Sequence, residues 1–281
     1  MAVLLGLAAA LAYGIGDFLG GLISRRIHFG LVSVIGASTA FVATGLVVLL
    51  SPTPAPVPSA LLLGAASGIG SGLGTLALYR GLGRGQMGIV APLSAIGTAA
   101  VPVVIGVVLG DRPSTIAWAG VALAFPAIWL VSTSGATERD TRFAAGVIDG
   151  LLAGVGFALL LVGLDQAGES SGLWPVVASQ AAASVVVGAF MLAALRSIDR
   201  RDLPRRHLVG AAIVGITGAS ASVFYFWSTH EGLLSIVAVL TSLYPAVTVL
   251  LAAGVLREPI SRRQAIGLAL AAIAVVLIVL A

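Results

Sequence analysis

Long apolar runs separated by short polar gaps make up this chain of 281 residues, and the basic residues fall almost entirely in every second gap. All 15 basic residues are arginines, and only Arg112 lies outside the alternate gaps. A helix needs about 20 mostly apolar residues to cross a bilayer, and basic loops stay on the cytoplasmic side. The pattern therefore predicts an all-α integral membrane protein whose loops alternate between two sides.

The composition narrows the classes of protein that remain. Charged residues make up 9% and hydrophobic residues 59% of the chain, whereas a soluble domain carries about 25% charged residues. The absence of cysteine excludes disulfides and thiolate metal sites, and we expect no metal and no cofactor. The net charge of +4 sets topology, because no polar domain exists to present a basic face to nucleic acid. The lipid bilayer is the expected partner.

Ten segments are long and apolar enough to span a membrane. Prolines or charges interrupt the chain between them, as in the proline-rich stretch Ser51–Pro58 and the charged turn Asp111–Ser114, where a helix cannot continue. The predicted spans are 2–23, 31–50, 60–79, 88–109, 114–133, 144–164, 172–194, 208–228, 233–256 and 262–281.

The two halves of the chain repeat at an offset of 147 residues, so that 88–130 aligns with 235–277 without a gap. The residues shared at one turn are an acid, a serine and a glycine, namely Asp111, Ser114 and Gly120 in the first half and Glu258, Ser261 and Gly267 in the second. We predict two repeats of five spans, 1–136 and 143–281, joined by a polar linker. Because five is odd, the second repeat is inverted, which is typical of transporters with a site between their halves.

The arginines agree with opposite orientations of the two halves. They follow spans 1 and 3 in the first half, but spans 7 and 9, which correspond to spans 2 and 4, in the second. With arginine-bearing gaps in the cytoplasm, both termini lie outside.

Five short motifs carry a family resemblance. The turn Val108–Ser114 and its second copy Val255–Ser261 resemble the LxGExxS turn of the drug/metabolite transporter (DMT) superfamily, EamA-type branch. The other matching segments are Tyr13–Phe18 at the family's first-span signature, with tyrosine in place of tryptophan, Ala77–Leu82 with Ala91–Leu93 at the third-to-fourth span junction, and Phe226–Pro245 at the eighth-to-ninth.

The resemblance implies a multi-pass cell-membrane protein of ten helices that moves small metabolites, such as amino acids, by alternating access. It favours a secondary exporter driven by protons or by the solute gradient, and not an enzyme. Family members usually keep both termini in the cytoplasm, which conflicts with the arginine pattern of this chain. An alternative is a polytopic membrane enzyme acting on a lipid or prenyl substrate. Such enzymes usually cluster acidic residues in loops at one face, whereas the acidic residues of this chain are scattered.

Asp17 is the first candidate site residue, because an ionisable group inside a span costs about 2.5–3.5 kcal/mol by insertion scales. Its helical neighbours include Tyr13, Gly14 and Gly20, a small and partly polar stripe that faces other helices or a cavity. Asp17 would bind a proton or a cationic group of a substrate, since burial favours the neutral form of a carboxyl group. The alternative is a structural acid paired with an arginine.

Four further polar residues are candidates, and three of them also have a structural interpretation. Asp149 contributes to a central site or locks helix packing, and His230 is a proton relay or gate or else a loop cap. Arg80, beside Tyr79, attracts a substrate carboxylate or sets topology. Gln180 is a lone polar group in span 7 that reaches the cavity.

Two prolines, Pro92 and Pro245, lie inside spans 4 and 9. A proline removes a backbone donor and bends a helix, so both are candidate hinges. The polar residues near them, which we expect to line the path, are Ser94, Thr98, Thr241 and Tyr244.

Overall fold

The structure, a computed structural model, describes residues 1–84, 87–132, 143–194, 205–257 and 259–281. All regular structure in these ranges is helical, which confirms the expected fold class. The helices are α1 Ala2–Ser24, α2 Phe29–Leu50, α3 Pro58–Gly83, α4 Met87–Leu109, α5 Thr115–Ser132, α6 Phe143–Gln166, α7 Trp174–Ala194, α8 Arg205–Thr229, α9 Leu234–Thr241, α10 Tyr244–Val255 and α11 Arg262–Val279.

Ten helical spans in the described part of the chain are long and apolar enough to cross a membrane, with α9 and α10 together forming the span Leu234–Val255. The predicted spans agree with these helices to within a few residues. Three parts of the sequence interpretation lie outside the described residues: the mid-chain linker Thr137–Arg142, most of the basic stretch that begins at Arg196, and Glu258 of the second acid–serine turn.

Local sequence signals account for the helix ends. Pro58 opens α3 at the first turn, where its missing N–H costs nothing. Ser114 Oγ accepts from the backbone N–H of Ala117 at 3.1 Å at the start of α5. Ser261 and Gln264 form a capping box at the start of α11.

The helix ends fall into two groups that we name by the arginines. The arginine end carries the C-termini of α1, α3, α5, α7 and α10 and the N-termini of the helices that follow each. The opposite end carries the remaining termini, apart from the C-terminus of α9 and the N-terminus of α10, which meet inside the ninth span. Hydrogen bonds between residues distant in sequence join side chains and backbone at the same end of the molecule. At the opposite end, Ser228 Oγ donates to Ala2 O at 2.7 Å, whereas Arg80 meets Asp149 in the arginine half.

Most helix pairs that connect the two halves in the described structure have an equivalent when the halves are exchanged. The helix α1 packs on α8 as α3 packs on α6, and α2 packs on α8 as α3 packs on α7. The helix α4 packs on α6 as α1 packs on α9 and α10, while α2 with α7, α4 with α9 and α5 with α11 are self-equivalent pairs. Two equivalent five-helix units would produce this pairing. The division into two inverted repeats stays a prediction that the pairing supports.

Glycines bring the helices into backbone contact. A Cβ at Gly64 or Gly68 of α3 would collide with the α7 backbone at Pro175 and Ser179, respectively. Gly97 of α4 lies against Gly154 of α6, where an added Cβ would be 3.0 Å from the partner Cα. Small residues at such spacing let membrane helices approach closely.

We expect Gly68→Ala to lower the free energy of unfolding by about 1–3 kcal/mol, because the new methyl group overlaps backbone that cannot move aside as a side chain can. The measurement is denaturant unfolding of the purified protein in detergent. Gly188→Ala is the matched control, since a Cβ at Gly188 meets nothing within 4 Å. Equal stability of the two variants would contradict the close-packing interpretation.

Candidate functional site

A cavity of about 90 Å³ lies at the centre of the helices, in the half of the molecule toward the arginine end. Its walls come from α1, α2 and α3 of the first half and from α6, α7 and α8 of the second. The residues that carry polar groups or rings at the cavity are Tyr13, Asp17, Ser33, Ser71, Thr75, Tyr79, Phe157 and Gln180.

Asp17 belongs to two further cavities that adjoin the first. One, of about 30 Å³, is lined by Tyr13, Thr98, Thr241 and Tyr244. The other, of about 80 Å³, extends between α1, α5, α10 and α11 toward the arginine end. The Asp17 carboxylate is therefore the point at which three cavities meet.

The structure places no hydrogen-bond donor or ion-pair partner on Asp17 among the residues it describes. Its helical environment is small, as predicted: Gly16 and Gly20 flank it on α1 and are buried. The alternative of a structural acid paired with an arginine is thus not what the described residues show.

Two tyrosines approach Asp17 along α1. Tyr13 lies one turn before it, and the Tyr13 hydroxyl and Ser222 Oγ are 3.1 Å apart. The Tyr79 ring occupies the space that a side chain at Gly20 would need, since an added Cβ there would lie 2.5 Å from the ring. Gly20 therefore allows the Tyr79 ring to reach α1 beside the acid.

Ser222 connects the two halves of the site. Besides its contact with Tyr13, Ser222 Oγ accepts a hydrogen bond from Gln180 Nε2 at 3.2 Å. The chain Tyr13–Ser222–Gln180 thus joins α1, α8 and α7 across the cavity wall and fixes the Gln180 amide, which is buried.

The ninth span breaks beside the cavity. Ser242 and Leu243 separate α9 from α10, and Pro245 occupies the first turn of α10. Proline has no N–H to donate to the carbonyl four residues earlier, which belongs to Thr241. We predicted a kink inside one helix, and the structure shows two helices with the proline at the start of the second.

The fourth span stays continuous through Pro92 and Pro102. Pro102 leaves the Thr98 carbonyl without its helical donor in the same way. The Thr98 hydroxyl donates to Ser94 O at 2.8 Å, and Ser94 Oγ lies 3.4 Å from the Tyr244 hydroxyl. These contacts connect α4 to the break in the ninth span.

Three sequence candidates lie away from the cavity. Arg80 Nε donates to Asp149 Oδ1 at 3.0 Å, and Arg84 lies 3.7 Å from Asp149 Oδ2. Asp149 is 2% exposed, so the pair joins α3 to α6 as a packing lock and Arg80 is not available to a substrate in the cavity. His230 lies at the opposite end, where its ring contacts the Phe226 ring at a tilt of 48°.

Sequence reasoning missed the second span as a cavity wall, and from the seventh span it predicted only Gln180. Ser33 and Gly36 of α2 and Ala183 and Val187 of α7 also line the cavity. Apart from Ser33 these residues are apolar or lack a side chain, and the Ser33 hydroxyl donates to Phe29 O of its own helix at 3.0 Å. Ser222 was missed for a similar reason, since a lone serine in a span gives no periodic signal.

The molecule differs at its two ends. Toward the arginine end the cavities continue to Arg25 and Leu256. At the opposite end a layer of side chains, at most 2% exposed, fills the space between α6, α7, α8 and α9; it consists of Leu164, Val176, Tyr225, Phe226 and Val237. Asp111 Oδ2 accepts from the Ser235 backbone N–H at 2.8 Å at that end, which ties the first half to the start of α9.

Ten membrane-length helices around an acid-bearing cavity define a polytopic helical membrane protein with room for a small solute. Residues 144–280 match the EamA-like transporter family. This match confirms the resemblance in the second half of the chain, and it supports a membrane transporter of small solutes.

Solved structures share the fold of the whole chain. One crystal structure superposes with a TM-score of 0.73, covering 99% of this chain and 98% of its own at 16% identity, and it is among 18 solved chains that match. At this identity the likeness concerns the fold alone. No curated protein sequence matches the chain.

We expect Arg80→Met to lower the free energy of unfolding by about 2 kcal/mol. Breaking a fully buried pair costs about 3–5 kcal/mol, but Arg84 stays near Asp149 and the Arg80 side chain is 33% exposed. Adding Asp149→Leu should recover most of the loss, because no unpaired charge then remains. Arg112→Met is the control, since Arg112 bonds only to backbone carbonyls of its own turn. A double variant no more stable than Arg80→Met would argue against the pair.

Proposed function

We propose that the protein is a secondary transporter that carries a small metabolite through the central cavity by alternating access. The observation that carries this proposal is the Asp17 carboxylate, which lies where three cavities meet without a partner among the described residues. A charge left unpaired in a membrane span is costly and marks a solute or ion pathway.

The two repeats, 1–136 and 143–281, are the proposed moving units. Helices of both units line the cavity, and most helix pairs between the units have an equivalent when the units are exchanged. Inverted repeats of this kind reach the outward and inward states by exchanging conformations around a fixed site.

The arginine pattern sets the proposed orientation. With arginine-bearing gaps in the cytoplasm, both termini lie outside and the described conformation opens to the cytoplasm. A cavity filled from that side suits an exporter. Protons are the proposed second solute, because the Asp17 carboxylate can bind either a proton or a cationic group of a substrate. Either one neutralises the negative charge of the site.

Asp111 is the proposed latch of the closed end. Its carboxylate bridges the turn after α4 to the N-terminus of α9, where backbone N–H groups favour a negative charge. Opening this end requires the bond to break, because it joins the two proposed moving units.

We expect Gly218→Phe to abolish transport while the protein still folds. Gly218 lines the cavity, and a Cβ there meets nothing within 4 Å, so a phenyl ring fills the cavity without displacing backbone. Transport is measured as retention by proteoliposomes loaded with a mixed metabolite extract and analysed by mass spectrometry. Gly188→Phe is the matched control, since Gly188 also has open space at its Cβ.

Two outcomes would contradict the proposed function. One is a wild-type protein that moves no solute, and the other is a Gly218→Phe variant that moves solutes as fast as wild type. Conversion of a lipid or prenyl substrate without solute movement would favour the enzyme considered from the sequence.

We expect Asp111→Ala to expose the cavity from the closed end. Because the chain has no cysteine, a single Ser71→Cys in the cavity wall reports access of a membrane-impermeant thiol reagent without background. With Asp111 intact, labelling should occur from the arginine end only; in Asp111→Ala, labelling from the other end should rise about tenfold if the latch contributes about 1.4 kcal/mol. Glu169→Ala removes another acid from the opposite end as a control, and an identical effect of both changes would exclude a specific latch.

A further inference from the structure

The charged side chains that line the described cavity are negative only. Among the described residues that line the three cavities meeting at Asp17, there is no arginine, lysine or histidine, and Asp17 is the one acid. On the same helix, Arg25 lies eight residues further along, about 12 Å by the helical rise. A carboxylate held in such surroundings is best compensated by a cation that enters with its own charge.

Aromatic rings surround the acid. Tyr13 and Phe157 line both the larger and the smaller cavity, Tyr79 adds a ring to the first and Tyr244 to the second. The faces of aromatic rings attract ammonium groups, most strongly where water is excluded. An acid among four rings therefore suits an ammonium group attached to an apolar body.

The break in the ninth span adds backbone carbonyl acceptors, while the Thr241 and Ser242 hydroxyls at the break can donate as well as accept. Pro245 and Pro102 leave the carbonyls of Thr241 and Thr98 without helical donors, and both threonines line the smaller cavity. The N-terminus of α10 is a poor site for a carboxylate, because Pro245 has no N–H and the Ala246 N–H donates to Leu243 O at 3.0 Å.

The same features disfavour a zwitterionic or anionic ligand. The substrate carboxylate of an amino acid would share the cavity with Asp17 and find no basic side chain among the described lining residues. The Gln180 amide, a remaining donor, is already bonded to Ser222. Like charges at close range in a dry site repel strongly.

We propose that the cavity binds a small monovalent organic cation, a protonated amine or quaternary ammonium with an apolar body, and rejects carboxylates. This inference rests on the proposed transport function and names its substrate class. It departs from the amino acids that the family resemblance implied.

Binding of radiolabelled trimethylphenylammonium, a permanent cation, to the purified full-length protein in detergent tests the inference. We expect saturable binding to wild type, competition by phenethylamine, and none by benzoate or phenylalanine at the same concentration. Asp17→Asn should weaken binding at least about tenfold, since its shape is unchanged but its charge is lost. Glu169→Gln removes one negative charge from an exposed loop and should leave binding unchanged.

The aromatic contribution is tested separately at Tyr79. Tyr79→Phe keeps the ring and should bind within about twofold of wild type, whereas Tyr79→Leu should weaken binding about three- to tenfold. Melting temperatures of each variant establish that it is folded.

Three results would overturn the inference: no saturable binding to folded wild type, equal affinity in Asp17→Asn, or displacement of the cation by benzoate as readily as by phenethylamine. The metabolite screen above separates the two proposals. If the proteoliposomes move anions or zwitterions, transport stands and the cation class falls; if they move nothing, the transport proposal itself fails.

Discussion

Inside a bilayer a peptide N–H or C=O without a partner in the protein finds none in the solvent, and this constraint determines the architecture of the chain. Each span is helical because a helix satisfies its own backbone. The described exception is the break at Ser242 and Leu243, where both N–H groups still donate, to Ala238 O and Leu240 O. The break is tolerated because Ser242 and Leu243 are buried among other helices and not exposed to lipid.

The same constraint makes glycine the main contact residue between helices. Lipid tails are as apolar as leucine, so association between spans relies on close van der Waals contact. At Gly36 and Gly215 an α2 backbone meets an α8 backbone, and the pair borders the cavity. Because glycine has no side chain, helices in contact at glycines have no side chains interlocked at that point. The two proposed units could therefore slide past each other there as they rotate around a shared site.

Hydrophobic length and arginine spacing predicted every span of the fold, because they report directly on how a helix meets a bilayer. The site was less predictable. Asp17 and Asp149 give the same signal, an acid among small residues in a span, yet within the described parts of the chain only Asp149 has arginine partners. One of these, Arg80, comes from a helix 69 positions earlier in the chain. Only the assembled helices show which acid is paired, and the apolar walls from α2 and α7 gave no signal at all.

The contrast between the two acids explains how one fold can be both rigid and mobile. Asp149 is neutralised by Arg80 of the adjoining α3 and by Arg84 of the turn after it, so its charge is satisfied in any arrangement that keeps α3 against α6. Asp17 has no such partner among the described residues, and a ligand or a proton must supply the missing charge. An empty, charged cavity resists closure, because closing it would leave a carboxylate in a dry interior. In the proposed transport cycle a filled cavity has no such barrier, and the unpaired carboxylate would couple the movement of the helices to the presence of a cargo.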